Sequence, residues 1–136
     1  MLDLSTVVKL SEDELSPVLG TEGPDEGTDM LLDRGVSLTL MSMGGEGASY
    51  ATRKFRGHVA SLELDEVVDA TGAGDAFLAA TLTHLSENPG WLDDEASVRE
   101  AVRRGTAAGA LACRAFGAMQ ALPTRDELER VMAART

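Results

Sequence analysis

The 136-residue sequence predicts an α/β layer fold on a mostly parallel sheet. Three observations carry that expectation. Short apolar and β-branched runs alternate with segments of helical period along the chain. Glycine, proline and other turn residues stand between them. An apolar content of 43% with 26% charged residues lets the chain bury a core, and its length suits one domain, residues 1–136.

In chain order, Thr6-Val7-Val8-Lys9-Leu10 reads as a buried strand. Ser11 followed by Glu14 fits a capping box opening a short helix that stops near Gly20. Thr21 to Thr28, with Gly23, Pro24 and Gly27, reads as a turn-rich loop, and Asp29 to Arg34 as the end of a second helix closed by Gly35. Val36 to Met41 is the next strand, joined through the turn Ser42 to Gly47 to a strand over Ala48 to Thr52. A further extended stretch runs from His58 to Leu64.

Ala76 to Leu82 is apolar and alanine-rich, as suits a buried helix, and Asn88-Pro89-Gly90 ends it. Ala96 to Ala115 predicts a long helix whose second half is almost wholly small and apolar, hence buried. Arg103 and Arg104 read as part of its solvated face, and Trp91 as a local packing anchor. Thr124 caps a terminal amphipathic helix through Leu128, Val131 and Met132.

A net charge of −11 disfavours a nucleic-acid or anionic-membrane surface, since like charges repel at long range. Any bound phosphate must be held locally. The lone Cys113 excludes an intrachain disulfide and points to a reducing, cytoplasmic setting. A basic-then-apolar N-terminus and an apolar run of about 18 residues are both missing from the sequence, so neither secretion nor membrane spanning is expected. His58 and His84 lack a metal-ligand spacing.

The residues with the most chemistry are Asp69-Ala70-Thr71-Gly72-Ala73-Gly74-Asp75, between an extended segment and an apolar helix. Amides converging on a helix start attract anions, and glycine lets a phosphate approach the backbone closely. Asp75, in the first turn, would then stand beside the anion as a proton acceptor. The same spacing also fits a tight turn at Gly72 and Gly74 with Asp75 as a helix cap. Gly44 and Gly47, taken alone, signal only a hairpin.

The string Asp69 to Phe77 resembles the D-T-x-G-A-G-D signature of the ribokinase-like, or PfkB, carbohydrate kinases. Other segments resemble the same family in the same order. Val7 to Leu15 is similar to its N-x-x-E segment, its Lys9-Leu10-Ser11 in fructokinase-like wording, with Ser11 in place of asparagine. Ser42 to Ala48 resembles its T-L-G-x-x-G-A turn. Thr106 to Ala112, Gly117-Ala118 and Leu122-Pro123-Thr124 resemble its closing helix, loop and P-T ending, with Thr106 where many members have asparagine.

The resemblance implies the C-terminal portion of a three-layer α/β/α sandwich and ATP-dependent phosphorylation of a sugar hydroxyl, fructose being the preferred sugar. It implies Asp75 as general base and an anion hole at Gly72, Ala73 and Gly74. Nucleotide contacts fall at Ser42, Gly44, Gly47, Thr71, Thr106 and Gly109. Glu14 would organise Mg2+, through water, unless it is only a helix cap, and Asp69 would hold a monovalent cation such as K+ unless it only forms a turn. No G-x-x-x-x-G-K-[ST] string occurs, so the triphosphate is expected on these loops. The family's N-terminal sugar-binding half and lid have no counterpart in this sequence, which implies a missing half or a complementary chain as partner. An inactive nucleotide-binding module is the competing expectation.

Overall fold

A computed structural model describes residues 7–21, 23–43, 46–61, 73–112 and 125–134. Strand β1 (Val7–Ser11) leads through a 3-10 turn at Glu12–Glu14 into α1 (Leu15–Leu19) and α2 (Pro24–Asp33). Strands β2 (Leu38–Ser42), β3 (Ala48–Ala51) and β4 (Arg56–Val59) follow. Then come α3 (Ala73–Ser86), a 3-10 turn at Trp91–Asp93, α4 (Glu95–Ala112) and α5 (Arg125–Ala134).

Among the described residues the strands form one sheet in the order β1-β2-β3-β4. The β1–β2 pair is parallel, with Lys9 opposite Leu40 and Ser11 opposite Ser42, whereas β2–β3 and β3–β4 are antiparallel. The mostly parallel sheet expected from the alternation is therefore parallel here at one pairing. The physical reason is loop length: a few residues suffice for a hairpin, but a parallel return needs a crossover such as α1–α2.

Side-chain alternation along the strands builds the layers. Val8, Leu10 and Met41 pack with Leu15, Leu31 and Val36 on the α1–α2 side. Leu38, Leu40, Ala48 and Tyr50 pack with Phe77, Leu85, Val98, Ala101 and Val102 on the α3–α4 side, and Val7, Phe55 and Trp91 pack against that cluster. Trp91 thus joins the main core. The result is a sheet between two helical layers.

Two segments depart from expectation for local reasons. Helix α2 begins at Pro24, inside the expected loop, because proline suits a first helical position. Gly27 belongs to this helix, where a Cβ would meet Leu15 Cδ2 at 2.7 Å. The strand expected at 58–64 is β4, displaced toward the N-terminus by its pairing with β3; its residues from 62 onward lie outside the described ones.

Tyr50 ties the sheet to α4. It faces Gly57 across the β3–β4 pair, and a Cβ at Gly57 would collide with the phenol ring. With that space open, the Tyr50 hydroxyl donates to Glu95 Oε2 at 2.9 Å. Burial raises the phenol above its ordinary value, so it remains a neutral donor.

Helices α3 and α4 pack through backbone rather than bulk. A Cβ on Gly105 would overlap the Thr81 hydroxyl and stand 2.9 Å from the Phe77 carbonyl oxygen, and one on Gly109 would stand 3.1 Å from the Ala73 carbonyl oxygen. Thr81, wholly buried, donates to that same Phe77 carbonyl at 2.8 Å. Arg104 is no solvated residue: its guanidinium pairs with Glu100 on α4 and with Glu129 on α5, tying those helices together. Arg103 pairs with Glu100 at 2.8 Å.

Overpacking at a contact this close costs about 1–3 kcal/mol. Gly105→Val is therefore expected to lower the unfolding free energy by that amount, seen by circular dichroism as a lower urea midpoint at unchanged m-value.

Candidate active site

The carboxyl ends of β1 and β2 lie side by side, Ser11 opposite Ser42. Three features converge there: the Glu12–Glu14 turn after β1, the turn after β2, and the start of α3. The α3 start is placed by β1. Val7 packs against the cluster that contains Phe77, and two residues further along the same strand face Lys9 Nζ stands 2.9 Å from where a Cβ on Gly74 would sit. Helix α3 thus presents its N-terminal end toward the carboxyl end of β1.

Ala73, Gly74 and Asp75 form the first three residues of α3. Asp75 is exposed and Gly74 half-buried. A helix start carries unsatisfied N–H groups and the positive end of the dipole, so an exposed carboxylate and an anion-attracting backbone share one turn. Asp69, Thr71 and Gly72 lie outside the described residues, as do Gly44, Cys113, Gly117 and Thr124.

Glu14 closes the turn after β1. The Ser11 backbone N–H and hydroxyl both donate to Glu14 Oε1, each at 2.9 Å. These bonds, backbone first, hold the carboxyl below its ordinary value of 4.5, with a further contribution from the positive charge of Lys9. The predicted capping box is present, and both Ser11 bonds fall on one carboxylate oxygen.

Ser42 ends β2. The Met43 N–H donates to the Gly47 carbonyl at 2.8 Å and closes the turn into β3. Gly47 has φ +96°, and a Cβ there would overlap the Val59 carbonyl, so this turn requires glycine. His58, set aside in the sequence for want of a metal spacing, holds the same turn: Nε2 lies 2.7 Å from the Glu46 carbonyl and Nδ1 3.2 Å from Ser49 Oγ. Since a carbonyl only accepts, Nε2 carries the proton and the serine hydroxyl donates to Nδ1.

Thr106 and Gly109 belong to the packed part of α4. The Thr106 hydroxyl donates to the Arg103 carbonyl at 2.9 Å, within its own helix, and Gly109 lies against Ala73. Gly109 therefore supports the first turn of α3, a role its nucleotide-contact expectation did not include. Among the described residues no group of three or more His, Cys, Asp or Glu side chains could hold a metal ion. Nor does a described helix have the length and apolarity to cross a membrane.

Residues 1–125 match the family described as pfkB family carbohydrate kinase. The chain belongs to that family. Probable fructokinase-4 of Arabidopsis thaliana is 37% identical over 131 residues, covering 96% of this chain and 40% of that protein. Aminoimidazole riboside kinase from Salmonella enterica, solved with aminoimidazole riboside and an ATP analog, has 36% identity and a TM-score of 0.86, covering 97% of this chain and 43% of that one. A double-mutant fructokinase from Vibrio cholerae O395, bound to fructose, ADP and potassium ion, has 36% identity and a TM-score of 0.87, covering 95% and 41%. The chain thus has a ribokinase-like α/β fold and spans about two fifths of these relatives' length.

The depressed Glu14 value sets a pH dependence. The stabilisation is fully present above the ordinary value of 4.5 and is lost as pH falls through the lower, folded-state one. Glu14→Ala is expected to cost about 0.5–1 kcal/mol at neutral pH, the scale of a lost cap at an exposed site. Urea unfolding of both proteins at successively lower pH should show that difference shrinking below pH 4.5.

Proposed function

We propose that this chain carries the nucleotide-binding and catalytic part of an ATP-dependent sugar kinase. The observation that supports it most is an exposed Asp75 in the first turn of α3, brought to the carboxyl ends of β1 and β2 in a chain of the pfkB family. Ligands of open α/β sheets bind in that position.

In this reading the amides of the Gly72–Gly74 turn hold the terminal phosphoryl group of ATP against the start of α3. Asp75 accepts the proton of the sugar hydroxyl. The hydroxyl oxygen bonds to the γ-phosphorus, the bond from that phosphorus to the β–γ bridging oxygen breaks, and ADP leaves with the electron pair. Transfer proceeds by positioning and electrostatic stabilisation. The turn from Ser42 to Gly47 flanks the nucleotide, and Gly109 fixes the height of α3 behind the phosphate.

Magnesium fits the residues present. Mg2+ keeps several waters and takes one or two carboxylates together with nucleotide phosphates. Glu14 offers one ionised, exposed carboxylate, with both Ser11 bonds on Oε1. The ion would neutralise charge on the phosphates; the chain's own part is to keep Glu14 ionised and oriented. Fructose is the sugar proposed, on the similarity to fructokinases. The sugar-binding half that such relatives contain would come from a longer protein or a complementary chain.

Two measurements test the reading. Isothermal titration with Mg-ATP should show binding by the wild-type chain and by Asp75→Ala. Labelled-phosphate transfer to fructose should fall about 10²- to 10⁴-fold in Asp75→Ala, the scale of a general base. Binding without transfer to any sugar would leave an inactive nucleotide-binding module, and no binding by folded wild-type chain would overturn the proposal.

A further inference from the structure

We infer that His58 is a positioning residue for nucleotide binding: by holding the Glu46 carbonyl it locks the Glu46–Gly47 peptide in one orientation, and so presents the turn to the nucleotide in one form. The inference rests on the functional reading above, in which the turn from Ser42 to Gly47 flanks the nucleotide.

The Glu46–Gly47 peptide is a point at which this turn can change shape. A peptide plane turns over by opposite changes in ψ of the residue before it and φ of the residue after it, and glycine accepts either sign of φ at little cost. Gly47, at φ +96°, is the residue after this plane. The peptide is trans, with its C=O and N–H pointing opposite ways, so a flip reverses both the Glu46 carbonyl and the Gly47 N–H. Two backbone bonds close the turn, Met43 N–H to the Gly47 carbonyl at 2.8 Å and Glu46 N–H to the Met43 carbonyl at 3.0 Å. Neither of them holds the two groups that a flip would reverse.

His58 takes hold of one of those groups. Its Nε2–H donates to the Glu46 carbonyl at 2.7 Å, and its Nδ1 accepts from the Ser49 hydroxyl at 3.2 Å. Both ring nitrogens are thereby committed, one to the turn and one to β3, which fixes the ring as well as the carbonyl. An exposed histidine needs neither bond, since water satisfies both nitrogens.

The base from which His58 works is itself tied down. Its backbone pairs with Ser49 in the β3–β4 register, and Arg99 Nη1 on α4 lies 3.4 Å from its carbonyl oxygen. The same nitrogen lies 3.4 Å from the hydroxyl of the buried Tyr50. The chain of contacts thus runs from α4 through β4 and the imidazole to the Glu46 carbonyl. A ligand's apparent affinity rises with the fraction of protein already in the competent form, so holding this peptide in one state strengthens nucleotide binding with no contact between His58 and the nucleotide.

The test is isothermal titration of the full chain with Mg-ATP, with urea unfolding of each variant alongside. His58→Ala is expected to weaken Mg-ATP about 3- to 10-fold, the scale of one neutral hydrogen bond. His58→Gln should recover most of that loss, because its amide reaches as far as Nε2 and can donate to the Glu46 carbonyl. His58→Asn, whose amide reaches only as far as Nδ1, should not. Ser49→Ala should weaken Mg-ATP less than about threefold and add nothing to His58→Ala, since it acts through the same ring. Unchanged affinity in His58→Ala, or losses that follow the urea midpoints of the Gln and Asn variants rather than their reach, overturns the role of His58 and leaves the reading of the site standing. A folded wild-type chain that binds no Mg-ATP overturns that reading and the inference with it. Should His58→Ala fail to fold, the Gln and Asn variants carry the same comparison, and equal Mg-ATP affinity in those two overturns the inference.

Discussion

The arrangement of this molecule depends on how closely α4 can approach α3. Gly105 and Gly109, one turn apart, replace side chains with backbone contact at Phe77, Thr81 and Ala73. Because α4 also packs on the sheet through Val98, Ala101 and Val102, its distance from α3 decides where α3 sits over the strands. Gly109 lies directly against the first turn of α3, where Asp75 is exposed. A change of even one methylene in such a contact is felt as a shift, since interiors are packed without spare volume.

A net charge of −11 raises the cost of bringing a polyphosphate to the surface. The corner beyond β1 carries the start of α3, with the positive end of its dipole, and Glu14, whose carboxyl Ser11 holds below its ordinary value. The metal-nucleotide complex proposed above would meet both signs there, the helix dipole and the Glu14 carboxylate. The opposite end of the sheet, by contrast, is laced by surface pairs: Lys54 with Asp93 and Arg56 with Asp29.

How much of this was legible varies from residue to residue. Strands β1, β2 and β3 were readable within two residues of their ends because apolar runs and turn residues bound them. The capping box at Ser11 and Glu14 was readable because it is entirely local. Helix α2 was misplaced at its start, since Gly23, Pro24 and Gly27 carry turn propensity, and only packing against Leu15 shows why a glycine stands inside the helix at position 27. Arg104 was misread as solvated because its partner Glu129 is 25 residues away. His58 gave no signal as a support of the Ser42–Gly47 turn, since that role depends on β4 folding beneath the turn.

By itself the sequence determined the α/β class and the family, through local pattern and residue order, and singled out the string Asp69 to Asp75 as the expected site. Only the tertiary structure decided that one sheet pairing is parallel and two are hairpins. It also decided that Gly109 buttresses α3, and that Lys9, 65 positions before Gly74, ends beside it. The physical reason is the same in each case: strand alternation and helix packing choose which distant residues meet, and a one-dimensional pattern holds no record of that choice until the faces are folded together.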